Sequence, residues 1–297
     1  MSIKNVILIG AGGNLGPAVL DQFLISSFTV TVLSRKESKS TFPSSVKVIK
    51  TDYSPESLAQ AFKGQDAVVS IVGNEGFGQQ TTIIDAAIKA GVKRFIPSEY
   101  GSDTNNDEVV KIVPIFKGKT QIVKYLTSKE SKDFSWTALI TGPFFDWGLK
   151  IGFLGFNFKD HTAEIWDSGS APFSTTNLPT IGLSLVKILS TESNLKATAN
   201  KYIYVASHTV SQNDILKAVE KITGSKWNVT SFSSKEVIPA ELEKLGKHDY
   251  SGVMKLIQAA AFGDGGLGDF GKVEGGVWNE KLGLPKENFE EDLKKFL

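Results

Sequence analysis

The sequence predicts an α/β protein, with a doubly wound parallel sheet over residues 1–150 and a smaller α/β region over 151–297 that packs on the first, the chain free to cross back. Three observations predict it. The chain opens on a short apolar run, Val6-Ile7-Leu8-Ile9, that breaks into glycines and then into helical periodicity. Short β-branched runs then alternate with helix-length amphipathic stretches as far as about residue 140, the pattern of strands buried on both faces. From about residue 150 that alternation weakens.

The opening stretch reads as strand, turn and helix. Leu15, Val19, Leu20, Phe23 and Leu24 recur at helical spacing behind the apolar run. Gly10, Gly13 and Gly16 supply positive φ for the turn, close backbone approach to an anion, and close packing of helix on strand. A helix N-terminus there presents N–H groups to a pyrophosphate, which makes Gly10, Gly13, Asn14, Leu15 and Gly16 candidate dinucleotide contacts. The spacing is G-x-x-G-x-x-G rather than G-x-G-x-x-G, and a tight turn without a ligand is the competing reading.

Thr29-Val30-Thr31-Val32-Leu33 is a second strand that ends in Ser34-Arg35-Lys36. About 20 residues beyond the glycines a dinucleotide fold places the group that meets the ribose, and an acid there selects NAD. Here the residues are basic, and a guanidinium pairs with a 2′-phosphate, so Ser34, Arg35 and Lys36 point to NADPH. For Lys36 and Lys39 a solvated loop charge is an equal reading. Val46 to Ile49 makes a third strand and Ala67 to Gly73 a fourth, separated by a helix through Leu58, Ala59 and Phe62. Ligands of open α/β sheets sit off the carboxyl ends of the strands, which marks Asp52, Tyr53, Val72 and Gly73; Asp52 equally caps the helix after it.

Composition narrows the function classes. With 297 residues, 41% apolar and 22% charged, the chain buries a sizeable core. A formal net charge of +1 gives no electrostatic case for nucleic acid or anionic membrane. Absence of cysteine excludes disulfides, thiolate metal sites and a cysteine nucleophile. No segment approaches the roughly 18 to 20 apolar residues of a membrane span, and the opening run is too short for a signal peptide. A cytoplasmic protein, monomer or homodimer, acting on a small-molecule substrate is expected. His161, His208 and His248 show no metal-ligand spacing and read as structural.

A helix from about Gln79 to Ala90 stops at Gly91, and a fifth strand runs from Lys93 into Ser98-Glu99-Tyr100-Gly101. The run Arg94-Phe95-Ile96-Pro97-Ser98-Glu99-Tyr100-Gly101 resembles the RF-x-PSEFG signature of the isoflavone reductase and phenylcoumaran benzylic ether reductase family, within the NmrA-like atypical short-chain dehydrogenases. Gly10 to Gly16, Arg35 and Gln80 followed by Ile83-Ile84-Asp85-Ala86-Ala87 fit the same family. The resemblance spans roughly residues 3–225, and the family's usual tail differs from this one beyond it. It implies a Rossmann domain binding NADP.

The resemblance also implies an active-site lysine early in the next helix, and Lys119 takes that position, with Lys117 as runner-up. Both compete with a reading as surface lysines. Tyr125 and Lys129 form the Tyr-x-x-x-Lys pair of ordinary short-chain dehydrogenases, but they fall late in the helix, away from the strand ends. Ser98 is implied near the nicotinamide as a second catalytic group, a hydrogen-bond donor. The sixth strand, Phe134 to Ile140, leads to Pro143, Phe144 and Phe145, implied cofactor neighbours. Trp147, Phe153, Phe156, Phe158, Trp166 and Phe173 follow as either aromatic pocket walls or core.

In the tail, Tyr202 to Val205 reads as a strand, and Ser211 caps a helix through Ile215, Val219 and Ile222 that Gly224 ends. Another helix runs through Met254, Leu256, Ile257 and Ala260, and Phe289 to Leu297 is a terminal one. Gly263 to Gly271 follows no readable strand and reads as a mobile loop. Two functions fit: an NADPH-dependent reductase of a small, aromatic or phenylpropanoid-like substrate, and an NADP(H)-binding redox sensor of the NmrA type without turnover.

Overall fold

The computed structural model describes residues 2–73 and 78–296. Packing groups the chain into two units that interleave along the sequence. One comprises Met1–Tyr100, Gly118–Leu139 and Pro179–Ile203; the other comprises Gly101–Lys117, Ile140–Leu178 and Tyr204–Leu297.

The first unit begins with β1 (Asn5–Ile9), α1 (Gly16–Leu24), β2 (Thr29–Arg35), β3 (Lys47–Thr51), α2 (Pro55–Phe62), β4 (Ala67–Ser70), α3 (Gln80–Lys89) and β5 (Arg94–Ile96). After α4 (Asp107–Ile112) in the second unit, α5 (Lys117–Ser128) and β6 (Ser135–Ile140) return to the first. The chain leaves again through α6 (Phe145–Lys150), β7 (Phe156–Asn157), β8 (Thr162–Trp166) and β9 (Phe173–Thr175). It returns with α7 (Leu178–Ser190), α8 (Glu192–Ala197) and β10 (Lys201–Tyr204). The remainder is β11 (His208–Val210), α9 (Gln212–Thr223), β12 (Asn228–Phe232), α10 (Ser234–Gly246), α11 (Val253–Phe262), α12 (Asn279–Leu282) and α13 (Phe289–Lys294). The boundary expected at residue 150 falls at the end of α6, within the second unit.

The sheet of the first unit has the order β10-β6-β5-β4-β1-β2-β3, and the pairs from β6 through to β3 are all parallel. The topology reverses at β1, where β2 lies on one side and β4 on the other, and such a switch point opens a crevice off the carboxyl ends. Ile7, Ile9, Leu33, Phe62, Val68, Ile84, Phe95 and Trp136 belong to one buried cluster. Each large side chain so buried contributes about 1.5–3 kcal/mol of transfer free energy. Arg94 of β5 is also wholly buried, and it is satisfied without a carboxylate. Its Nε donates to Ser135 Oγ at 2.9 Å, Nη1 to Thr137 Oγ1 at 2.7 Å and Thr198 Oγ1 at 3.1 Å, and Nη2 to the Leu195 carbonyl at 2.5 Å. Burial pushes its guanidinium down to about 10.

In the second unit β12 pairs parallel with β8, β7 antiparallel with β8, and β11 antiparallel with β9. Phe156, Trp166 and Phe173 are core side chains, with Phe153 and Phe158 packed against them, and Phe156 and Phe158 also line a cavity of about 420 Å³ beside Phe296. Trp147 stays half-buried, 6.2 Å from the Phe144 ring. The cap chemistry of α9 is as expected: Ser211 and Asp214 form a capping box, and Gly224 ends the helix at φ +65°. The glycine-rich segment differs from the expected mobile loop. Phe270 is buried, its N–H donates to Ser174 Oγ at 3.1 Å, and the Gly268 carbonyl accepts from Ser174 N at 2.8 Å, which fastens the segment to β9. Among the described residues no helix is long and apolar enough to cross a membrane.

Candidate cofactor site and active site

Backbone crowding shapes the turn between β1 and α1. Gly10 has φ +88°, and a Cβ there would lie 2.5 Å from the Ile71 carbonyl oxygen; at Gly16 it would lie 2.2 Å from that of Ala11. The scaffold alone therefore demands glycine at both. Gly13 is different. It is exposed, and a Cβ would meet nothing closer than the Gly10 carbonyl oxygen at 3.4 Å. Gly13 N donates to that same oxygen at 3.0 Å, which closes the turn. Leu15 at the N-cap buries its side chain and makes no capping hydrogen bond. Helix amides without a side-chain acceptor suit an anion, and exposed Gly13 and Asn14 leave room for its approach.

Arg35 ends β2 exposed, with Lys36 and Lys39 exposed after it. Lys36 Nζ lies 3.1 Å from Asp52, so this lysine is part of an ion pair within the loop. Asp52 Oδ1 also accepts from the Ser57 hydroxyl at 2.6 Å and from the Ser54 amide and hydroxyl. These bonds, that of Ser57 foremost, hold its carboxyl well below the usual range. The N-cap of α2 is Ser54, and Asp52 braces that cap rather than forming it. Ser34 is buried, with its Oγ accepting from Lys50 Nζ at 3.3 Å. Tyr53 is half-buried at φ +62°; burial raises its phenol and the nearby Arg35 charge partly offsets this.

The ends of β4 and β5 converge on Lys119. Val72 and Gly73 leave the sheet after Ser70, and the Val72 carbonyl accepts from Ser98 Oγ at 2.7 Å. Ser98 N donates to Gln80 Oε1 at 3.3 Å. In the first turn of α5, Lys119 Nζ donates to the Glu99 carbonyl at 2.5 Å and the Tyr100 carbonyl at 3.2 Å. Burial pushes its ammonium below the usual lysine range, and the Glu99 charge draws it part of the way back. Lys117 is exposed. Tyr125 donates to Asp85 at 2.6 Å while Lys129 lies 3.6 Å from the same carboxylate, a surface arrangement.

The structure thus gathers Val72, Ser98 and Lys119 at one place, and Arg35, Lys36, Asp52 and Tyr53 at another. Two expectations change. Ser98 gives its hydroxyl proton to the Val72 carbonyl, so here it ties two strand ends together rather than offering a donor to a ligand. Phe145 turns its ring into the core of the second unit, 4.8 Å from His208 and 5.9 Å from Phe289, and no face of it is open to a cofactor. A helix starts at Phe145, and its first apolar residue faces inward; Pro143 and Phe144 remain half-buried. Gln80, Glu99 and Tyr100 belong to the Lys119 cluster; the sequence carries them in the family resemblance without giving them a role in the site. The available signal was Tyr100 itself, standing where the signature has phenylalanine.

The model of the NmrA-like family matches residues 2–280. Oxidoreductase aprR of Aspergillus flavus is 40% identical over 301 residues, covering 100% of this chain and 99% of that protein. Oxidoreductase poxI of Penicillium oxalicum is 32% identical over 295 residues, covering 97% of this chain and 92% of that one. Among solved structures, an isoflavone reductase superposes with a TM-score of 0.81 at 19% identity, with full coverage of both chains. AtPrR2 in complex with NADP+ and (+)-pinoresinol does so with a TM-score of 0.78 at 19% identity, covering 100% of this chain and 99% of that one. The glycine turn, the parallel sheet and the similarity along the whole chain agree: the protein belongs to the NmrA-like family and is an oxidoreductase with the fold of the isoflavone reductases.

Proposed function

We propose that the protein is an NADPH-dependent reductase that passes hydride to a small, aromatic or phenylpropanoid-like substrate, with Lys119 acting on the substrate's oxygen. The observation that carries this reading is Lys119 itself, a desolvated ammonium held by two carbonyls at the carboxyl end of β5. A lysine with no chemical task gains nothing from burial, since desolvation disfavours its charge.

The residues present fit the cofactor. Gly10, Gly13, Asn14, Leu15 and Gly16 offer the pyrophosphate a turn whose helix has no side-chain cap. Arg35 stands as the guanidinium for a 2′-phosphate, beside Ser34, Lys36, Asp52 and Tyr53. Val72 and Gly73 line the end of β4. A neighbour of like fold holds NADP+, which supports the same choice. NADPH, when bound, supplies the hydride. Lys119 holds a proton at Nζ less tightly than a surface lysine does, which suits it to polarise a carbonyl or protonate a departing oxygen. Ser98 ties the chain leaving β5 to the chain leaving β4.

The test is NADPH oxidation against a panel of aromatic ketones, enones and benzylic ethers, with cofactor affinity measured by calorimetry. Lys119→Ala is expected to keep NADPH affinity within about threefold and to lower turnover by roughly 10²-fold or more. Equal loss of both would mark a structural lysine. NADPH bound by the wild-type protein without turnover of any compound would favour the redox-sensor reading instead.

A further inference from the structure

Of the buried polar atoms of the sheet-bearing unit that have no hydrogen-bond partner among the described residues, three sit at the same end of neighbouring elements: Ser70 Oγ closing β4, Gln80 Nε2 opening α3, and the Tyr100 hydroxyl just past β5, whereas Gln65 Oε1 lies at the other end, ahead of β4. Buried polar atoms left unpaired are disfavoured, and their concentration at strand ends points to a ligand that meets them. Gln80 is oriented, because its Oε1 accepts from Ser98 N. Tyr100 is the more telling of the three. Phenylalanine, the residue of the resembled signature, would preserve the packing of the ring and remove the orphan hydroxyl. The hydroxyl is therefore an addition that packing does not call for.

Its surroundings say what it can do. Lys119 Nζ is bonded to the Tyr100 carbonyl, and Glu99, whose side chain is fully buried, acts electrostatically on both the lysine and the phenol. Burial and that negative charge keep the phenol protonated, so it serves as a donor and not as a base. A donor without an acceptor, on the residue whose main-chain carbonyl holds the lysine that serves the substrate, calls for an oxygen on the substrate.

We propose that the Tyr100 hydroxyl is a substrate contact, donating a hydrogen bond to an acceptor oxygen close to the Lys119 ammonium, and that tyrosine at this position restricts the substrate class to compounds carrying that oxygen. This rests on the reductase reading. The experiment compares wild type with Tyr100→Phe on each active compound of the panel and on an analogue in which the candidate oxygen is replaced by a methylene or hydrogen. Expected are a loss of about tenfold or more in kcat/KM for the oxygen-bearing compound, no change for the analogue, NADPH affinity within twofold, and an equal or higher thermal midpoint. Unchanged kcat/KM for the oxygen-bearing compound overturns the inference. So does an equal loss on both compounds, which marks a packing role, or a matching loss of NADPH affinity, which assigns the hydroxyl to the cofactor. Wild-type protein that binds no NADPH, or binds it and turns over no compound, overturns the reductase reading first and this inference with it.

Discussion

At the scale of single residues, the glycine turn divides into two kinds of position that a motif treats alike. Gly10 and Gly16 are held to glycine by carbonyl oxygens that a Cβ would strike, whereas Gly13 has space for one. Gly13→Ala is therefore expected to change stability by less than about 1 kcal/mol, read by chemical denaturation, while weakening NADPH binding roughly tenfold or more in calorimetry, because on the proposed reading the methyl stands in the path of the pyrophosphate. Arg35→Ala is expected to reduce the preference for NADPH over NADH by about one to two orders of magnitude, the worth of a charged phosphate pair. Equal affinities before and after would move the 2′-phosphate contact elsewhere. Local chemistry singled out the glycines and Arg35 as candidates, and the family resemblance singled out Lys119. What the sequence could not convey was how hydroxyls and carboxylates are shared. That Asp52 binds Lys36 and two serines, and that Ser98 spends its proton on Val72, depends on which loops meet in space.

At the scale of elements, legibility follows how local the deciding contacts are. The α9 helix was readable to both caps because a capping box and a left-handed glycine act within one turn of the chain. Ser211→Ala is expected to cost about 1 kcal/mol in urea denaturation, without effect on NADPH affinity. The strands β1 to β6 were readable because each announces itself by a short apolar run. Phe145 was misplaced for the opposite reason: a strand end followed by aromatics looks the same whether the rings face a ligand or, as here, His208 and Phe289. The Gly263–Gly271 segment misled in the same way, since glycines suggest freedom while the anchor, Phe270 against β9, comes from far upstream.

At the scale of the whole molecule, the two units share one chain that passes between them repeatedly, and composition gives no hint of where it crosses. Arg94 shows what this entails. Its charge is buried with neutral partners alone, so Arg94→Ala removes packing and takes the side-chain donor from the Leu195 carbonyl, while the three hydroxyls lose the bond they accept and keep the one each donates to a carbonyl. A loss of about 3 kcal/mol or more is expected, measured by denaturation, against about 0.5 kcal/mol for Lys93→Ala on the half-exposed pair with Asp66. Leu195 lies 101 residues downstream of Arg94. During synthesis the N-terminal part of the sheet therefore leaves the ribosome with an ion it can neither hydrate in its final position nor satisfy, and with the β6 edge bare until β10 is made. The nascent sheet must wait for most of the polypeptide, which makes its completion a late event.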